Sequence, residues 1–322
     1  METKAYPAYS VAIRTLGKSG DYFVRTIKSL KTQTVPPKDI FIYIAEGYQI
    51  PPRVADEVYV TCRKGMVAQR ALPFSEIETE LVLLSDDDME YAPDSIEKLL
   101  SGMMDCNGDC IAANVFPNHK WDFKHKVIQA IFHGIYPSLS RKYAFRIRKD
   151  ASYSYSLFPR RVMESQSCAG AVLLLYKSVL SNLHFHEEEW MDSFQYALGD
   201  DQLFGYKIHC LNYRLLVHYD TGVVHLDAGT GQVKDQNKAD YNQRILKYII
   251  WYRSVYEPGS MPERLAACFS FYSKWCLSIM WAMIKSVRDK GQKLHNITAS
   301  RKEALAFIDS PAFSSIPKWP QK

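Results

Sequence analysis

No CxxC pair occurs anywhere in the 322 residues, and the seven cysteines are odd in number, so neither a disulfide framework nor a four-cysteine zinc site organises this chain. Cys106 and Cys110 have the nearest spacing, but no second pair is present to complete a metal site. The N-terminal stretch METKAYPAYSVAIRT lacks the long apolar segment of a signal peptide. Internal repeats and low-complexity tracts are missing too, which excludes solenoids and fibrous arrays. Charge of one sign is scarce overall: the net value of +5 names no partner by itself. These absences lead to the expectation of a reducing, cytoplasmic protein.

What is present is apolar and aromatic. Hydrophobic residues make up 47% and aromatics 13%, enough for a sizeable core in one large domain or two small ones. The charge is unevenly spread. Between Lys120 and Arg161 ten Lys/Arg face only Asp122 and Asp150, so that segment carries +8 and the rest of the chain −3. Such a basic zone expects an anionic ligand or surface.

Strand and helix patterns alternate over the first 110 residues or so. YSVAIRT (9–15), DIFIYIAEG (39–47), EVYVTC (57–62) and ELVLLSD (80–86) read as strands. Segments 20–34 and 66–78 read as helices, and another follows Pro93, with Asp94 in its first turn and Ile96, Leu99, Leu100 and Met103 on one face. Near-continuous apolar content in the strands predicts burial on both faces, hence an α/β fold whose mostly parallel sheet is flanked by helices. The regularity stops at 119–161, where no clear sheet pattern is visible and aromatics such as Trp121, Phe123, Phe132 and Tyr136 interleave with the basic residues. It returns at 170–180 and 199–219, and from Tyr241 the chain reads as helical.

LVLLSDDDME (81–90) places three aspartates at the end of an apolar strand. In an open α/β sheet ligands bind beyond the carboxyl ends of strands. If extended geometry persists, Asp86 and Asp88 project to one side and Asp87 to the other. Oxygen-only ligands of this kind suit Mg2+ or Mn2+ shared with a substrate's phosphates. The competing reading is a solvated acidic turn. Asp200 and Asp201 open a second helix, where the dipole favours carboxylates; capping explains one of them, and the other is a candidate general base. His225, in TGVVHLD, reads by itself as a packed histidine. His184 and His186, beside Glu187, Glu188 and Glu189, read as a solvated loop or helix start.

Taken together and in order, these stretches resemble the inverting GT-A glycosyltransferases of glycosyltransferase family 2, of the bacterial polysaccharide type, over roughly residues 8–230. SVAIRTLGKSG and SLKTQT match the family's opening SVIIPTYN strand and its SLLAQT helix. IYIAEGY matches the strand ending VVDDGS, with Ala45 and Glu46 in place of its two aspartates. GMVAQRA matches G-x-x-x-A-R-N, LLSDDDMEYAP matches the D-x-D context, AGAVLLLYKS matches the family's G-(G/A) strand, and DDQLFGYKIHCLNYR matches ED-x-x-L…GYR.

The resemblance implies a GT-A catalytic domain over 1–235 with 119–161 as an insertion, and a helical C-terminal extension over 236–322. It implies a nucleotide-sugar donor, with a UDP-sugar expected, a divalent metal, and inversion. Thr15 and Glu46 would lie at the base, Arg70 and Asp87 on the donor side, Asp86 near ribose and metal, and Asp88 would be the main metal ligand. His225, in VVH, would be a third metal or diphosphate contact. Gly170 and Asp200 would lie on the acceptor side, and Asp201 would be the catalytic base.

The aromatic and basic insert suits single-stranded nucleic acid, an anionic membrane or a solvated loop that contacts the acceptor. The apolar stretch 265–285, interrupted by Lys274 and serines, favours the membrane, through an interfacial rather than a spanning helix. The expectation is a peripheral enzyme on the inner membrane face, acting on a glycan or lipid-linked acceptor and not on nucleic acid. The rivals are a nucleotidyltransferase or polymerase using Asp86/Asp88 and Asp200/Asp201 as metal carboxylates, and an inactive nucleotide-sugar-binding subunit. A polymerase GDD would sit in a hairpin between strands; here helix is expected to follow it.

Overall fold

The computed structural model describes residues 5–116, 120–130, 134–194, 197, 199–227, 235–289 and 291–320, with backbone alone at 285 and 287–289. Phe132 and the first residue of the basic insert, His119, lie outside the described residues. The first part of the chain runs β1 (Tyr9–Thr15), α1 (Asp21–Lys31), β2 (Ile40–Ala45), β3 (Val58–Cys62), α2 (Met66–Arg70), β4 (Leu81–Asp86), β5 (Met89–Glu90), α3 (Ser95–Asp105) and β6 (Cys110–Ala113). The middle holds α4 (Phe123–Ile128), β7 (Ile135–Ser138), β8 (Phe145–Ile147), β9 (Tyr153–Ser156), β10 (Val162–Glu164), β11 (Val172–Tyr176) and α5 (Lys177–Leu183). A 3-10 helix (Phe185–Ser193), α6 (Asp200–Cys210), β12 (Leu215–His218) and β13 (Val224–His225) follow. Then come α7 (Gln236–Trp251), which continues into a π turn at Tyr252–Tyr256, and α8 (Met261–Asp289), α9 (Gln292–Ile308) and α10 (Pro311–Ser314).

Eight strands form one sheet in the order β10-β12-β6-β11-β4-β1-β2-β3. β4, β1, β2 and β3 are parallel, while β11 runs against both β4 and β6. The mixed sheet follows from the strand sequences. Every residue of β2 is buried, and in β4 alternate residues enter two different apolar clusters. Leu81 and Leu83 join Ile27 and Leu30 of α1 and Leu99 of α3. Val82 and Leu84 join Phe204 of α6 and Ile245 of α7. Helices therefore cover both faces, as a sheet apolar on both sides requires.

α1 buries Phe23, Thr26, Ile27 and Leu30, a single stripe. Its polar residues then fasten the acidic loop. Thr26 Oγ1 accepts from Met89 N at 3.0 Å and donates to Asp87 O at 3.2 Å. The Gln33 amide accepts from Ile96 N at 3.0 Å and donates to Ala92 O at 2.7 Å.

Two segments depart from the sequence reading. The helix expected over 66–78 stops at Arg70, because Pro73 cannot continue it and Phe74 adopts φ 48°. The insert, expected to lack sheet, contains a three-stranded sheet in the order β7-β9-β8, and β10 forms the edge of the main sheet. Strands of three or four residues are too short to display an alternating pattern.

The C-terminal helices share the apolar core of the main sheet. Trp251 is buried, stacks on Phe271 with centroids 4.3 Å apart, and donates through Nε1 to Lys149 O at 3.0 Å. Glu188 corrects the solvated-loop expectation: it is fully buried and ion-paired with Arg253 at 2.8 Å and Lys207 at 3.2 Å. No described helix is long and apolar enough to cross a membrane.

Candidate active site

At the carboxyl ends of β1 and β4 lies a cleft of about 870 Å3. Thr15, Arg70, Asp86, Asp87, Asp88, Gly170, Asp200, Asp201 and His225 all line it, although they come from points up to 210 residues apart in the chain. Glu46 is not brought there. It is exposed at the end of β2, so the base contact expected of it has no counterpart among the cleft walls.

The three adjacent aspartates have three different partners. Arg14 and Asp86 are register neighbours on β1 and β4, and Arg14 Nη2 donates to Asp86 Oδ1 at 2.8 Å. Burial raises the Asp86 carboxyl above its ordinary value, and Arg14 opposes that rise. The strand ends at Asp86, so the expected alternation fails at its neighbour. Asp87 does not simply point away: it accepts a short hydrogen bond from the Thr15 hydroxyl, whose oxygen in turn accepts from Gly17 N at 2.7 Å. Burial raises the Asp87 carboxyl, with the Thr15 bond pulling it back. Asp88 faces His225, with Nε2 3.3 Å from Oδ1.

That last meeting is made by backbone. β13 pairs antiparallel with β5, placing His225 opposite Met89, and Leu226 N donates to Asp88 O at 2.8 Å. Asp88 and His225 are therefore placed where they could offer two ligands to one ion. Among the described residues no three His, Cys, Asp or Glu come together as a metal cluster, and Asp86 is held on Arg14 instead. Two protein ligands with open positions fit a Mg2+ or Mn2+ ion that takes its remaining oxygens from a diphosphate and water.

In the same cleft Asp200 and Asp201 occupy the first turn of α6, after Gly199 at φ 101°. Asp200 is buried and pairs with Arg70 Nε at 2.7 Å, so its partner is an arginine rather than the helix end. Arg70 also donates to Gly170 O at 3.3 Å and lies 5.5 Å over the Phe204 ring. Among the described residues Asp201 forms no ion pair of its own; it accepts from Gln202 N at 2.7 Å. Burial and the neighbouring Asp200 push its pKa up to about 6. Gly170 permits this crowding: a Cβ there would lie 2.6 Å from Arg70 Nη1 and 2.7 Å from Asp201 Cβ.

Several cleft residues escaped the sequence reading. Arg14 stands where the resembled family has proline, a departure that could have marked it. Lys18 and Lys64 line the cleft and flank the Tyr48 ring at 4.9 and 5.1 Å. Asp192 accepts from Val67 N at 3.1 Å and Ala68 N at 2.8 Å, capping α2 from a distant segment, and no local sequence signal announces it. GDD at 199–201 opens a helix, not a hairpin between strands.

Residues 10–166 match the model of glycosyl transferase family 2, a match that ends before Asp200, Asp201 and His225. Among solved structures the chain is similar to the mannosyltransferase PcManGT from Pyrobaculum calidifontis, determined in complex with GDP-Man and Mn2+. Identity is 12% and the TM-score 0.50, with 94% of this chain and 88% of that chain covered. A structure of GalNAc-T7 with UDP, GalNAc and Mn2+ aligns at 12% identity and a TM-score of 0.48, covering 87% of this chain and 58% of that chain. No curated protein sequence matches. The likeness to the mannosyltransferase is one of fold, the GT-A arrangement of a mixed sheet between helices.

Proposed function

We propose that this chain, which carries a glycosyl transferase family 2 domain over residues 10–166 in a GT-A fold, moves a sugar from a nucleotide-sugar donor to an acceptor hydroxyl with inversion. The observation that carries the proposal is the pairing of roles across one cleft. Asp88 and His225 lie 3.3 Å apart in the cleft, where together they could offer two ligands, and Asp201 lines the same cleft as a half-buried carboxylate with a raised pKa.

The reaction follows from those positions. The acceptor oxygen attacks the anomeric carbon, the bond from that carbon to the donor diphosphate breaks, and the acceptor proton passes to Asp201. A carboxyl of pKa about 6 is ionised at neutral pH yet more basic than an ordinary aspartate, which suits that role. Arg70 pairs with Asp200 at 2.7 Å, so the other carboxylate of the pair is engaged by a guanidinium. Asp88 and His225 would hold the metal ion, which when bound offsets the negative charge developing on the departing diphosphate. Lys18 and Lys64 add positive charge to the same cleft.

The donor is expected to be a UDP-sugar. Because PcManGT holds GDP-Man, guanosine donors belong beside it in any screen. The acceptor is a glycan or a lipid-linked alcohol presented at the inner membrane face. A screen of nucleotide sugars with Mn2+ or Mg2+ tests the reading through thermal shift and nucleoside-diphosphate release. One donor should raise the melting temperature only with metal present. No response to any donor, with a response to nucleoside triphosphates plus template, would overturn the proposal in favour of a polymerase.

A further inference from the structure

α8 is turned inside out for a helix on a protein surface. From Leu265 to Ile284, twenty residues, the sole charged side chain is Lys274. That lysine points inward: it pairs with Asp150, itself 1% exposed, and lies 4.4 Å over the Tyr136 ring. The outward face is apolar. Phe269 is 78% exposed and Ile284 72%, with Leu265, Leu277 and Met280 exposed on the same stripe. A surface helix normally does the reverse, burying its apolar stripe and hydrating its charges. Twenty helical residues extend about 30 Å, so the uncovered face is long and continuous.

Basic segments border this face at both ends. The insert 120–161, with net charge +8, is tied to α8 by Lys149–Glu263 at 3.4 Å and by the Asp150–Lys274 pair. Directly after Ile284 the sequence places Lys285, Arg288, Lys290 and Lys293 against Asp289 alone. The insert also carries α4, which buries none of its residues; Phe123 there is 82% exposed and stands beside Lys124 and Lys126.

We infer that α8 lies flat in the interface of an anionic lipid bilayer, its apolar face in the acyl boundary and the flanking lysines and arginines on the headgroups. The chemistry is that of an interfacial amphipathic helix, in which apolar burial and attraction to anionic lipid add. A second copy of the chain fits the face less well, since self-association would bring two sets of basic flanks together. α8 is long enough to span a bilayer but not apolar enough, so it is read as interfacial. The inference is independent of the donor and of the chemistry at Asp201.

The test is co-flotation with vesicles of phosphatidylcholine alone and of phosphatidylcholine with phosphatidylglycerol, at low and high salt, beside light scattering to read oligomeric state. The protein should float with the anionic vesicles only, and high salt should weaken it. Phe269→Asp and Ile284→Asp, both at exposed sites and so expected to leave the melting temperature unchanged, should each cut vesicle partitioning about tenfold or more. Trp281, 40% exposed on α8, gives a second readout: vesicle-dependent fluorescence blue shift that disappears in Trp281→Phe. Three results would overturn the inference: no flotation at low salt, equal binding to neutral vesicles, or a wild-type dimer that the aspartate variants split without any change in lipid binding.

Discussion

Arg14 and Asp86 sit side by side on neighbouring parallel strands, Nη2 to Oδ1 2.8 Å, so the first aspartate of the acidic triplet answers to the sheet before it answers to a ligand. Arg14 is deeply buried, with 8% of its side chain exposed, whereas 36% of Asp86 is exposed. The two halves of the pair should therefore respond unequally. Removing Asp86 strands a buried guanidinium; removing Arg14 leaves a carboxylate that water still reaches. Asp86→Ala is expected to cost about 2–3 kcal/mol and Arg14→Met about 1 kcal/mol. The double variant should recover part of both losses in a denaturant-unfolding cycle. Additive losses would show that the pair is not coupled.

Asp201 offers a test in which activity and stability move in opposite directions. Its pKa is raised to about 6, chiefly by burial, so protonation favours the folded state: the stabilising contribution is complete below the unfolded aspartate value and is lost as pH rises through 6. At pH 7 the ionised carboxylate is a burden on the fold. Asp201→Asn should raise the melting temperature by roughly 2 °C while lowering the transfer rate by about a thousandfold. The wild-type rate should fall with decreasing pH through about 6, as the base becomes protonated. A variant that loses stability and activity together would mark Asp201 as structural.

The Asp88–His225 pair predicts how metal dependence should change. With two protein ligands, losing one removes half of the protein's hold on the ion. Asp88→Asn should raise the Mn2+ concentration for half-maximal activity by about a hundredfold, and His225→Ala by about tenfold. Metal titrations at fixed donor decide this. An unchanged metal requirement in both variants would place the ion elsewhere.

Extended geometry would turn Asp87 away from Asp86 and Asp88, but its partner gives it a structural task. The Thr15 hydroxyl donates to it while accepting from Gly17 N, so the carboxylate anchors the turn that follows β1. Asp87→Ala should destabilise by about 1–3 kcal/mol, because it leaves the buried Thr15 hydroxyl without an acceptor. Asp87→Asn, which keeps an oxygen acceptor, should lose much less. Chemical denaturation distinguishes the two.

The sequence makes legible what depends on long, regular patterns. β2 and β4 are continuous apolar runs, and α1 shows its stripe at Phe23, Ile27 and Leu30, so the sheet and its flanking helices could be drawn directly. The strands of the insert could not, because three or four residues do not establish a period. At the site, each carboxylate's position at a strand or helix end was readable, while its partner was not. Arg14, Arg70 and His225 reach Asp86, Asp200 and Asp88 across 72, 130 and 137 residues. The first is closed by strand register, the second by the meeting of the end of α2 with the start of α6, and the third by the β13–β5 pairing. Glu46 shows the converse: a position matched by motif at which the β2 end turns the side chain to solvent.

Glu188 is where the C-terminal helices should prove inseparable from the catalytic sheet. It is fully buried, accepts from Arg253 Nε at 3.0 Å and Nη2 at 2.8 Å, from Lys207 Nζ at 3.2 Å, and from Trp190 Nε1 at 2.9 Å. Lys207 belongs to α6, whose first turn carries Asp201, and Arg253 belongs to the turn that ends α7. Burial alone would raise the Glu188 carboxyl; the Arg253 hydrogen bonds and charge outweigh it and hold the group low. Its stabilisation is therefore present above the unfolded glutamate pKa and disappears as pH falls through the lower folded value. Glu188→Ala should cost about 3–5 kcal/mol at pH 7, because the buried Arg253 loses its counter-charge and Lys207 is left with Glu187 alone. Below about pH 4 that cost should shrink, since the wild type has by then begun to lose the same interaction. Thermal melts of both proteins across pH 3–7 check this: a difference in melting temperature that stays constant with pH would mean that Glu188 acts by packing and not by charge.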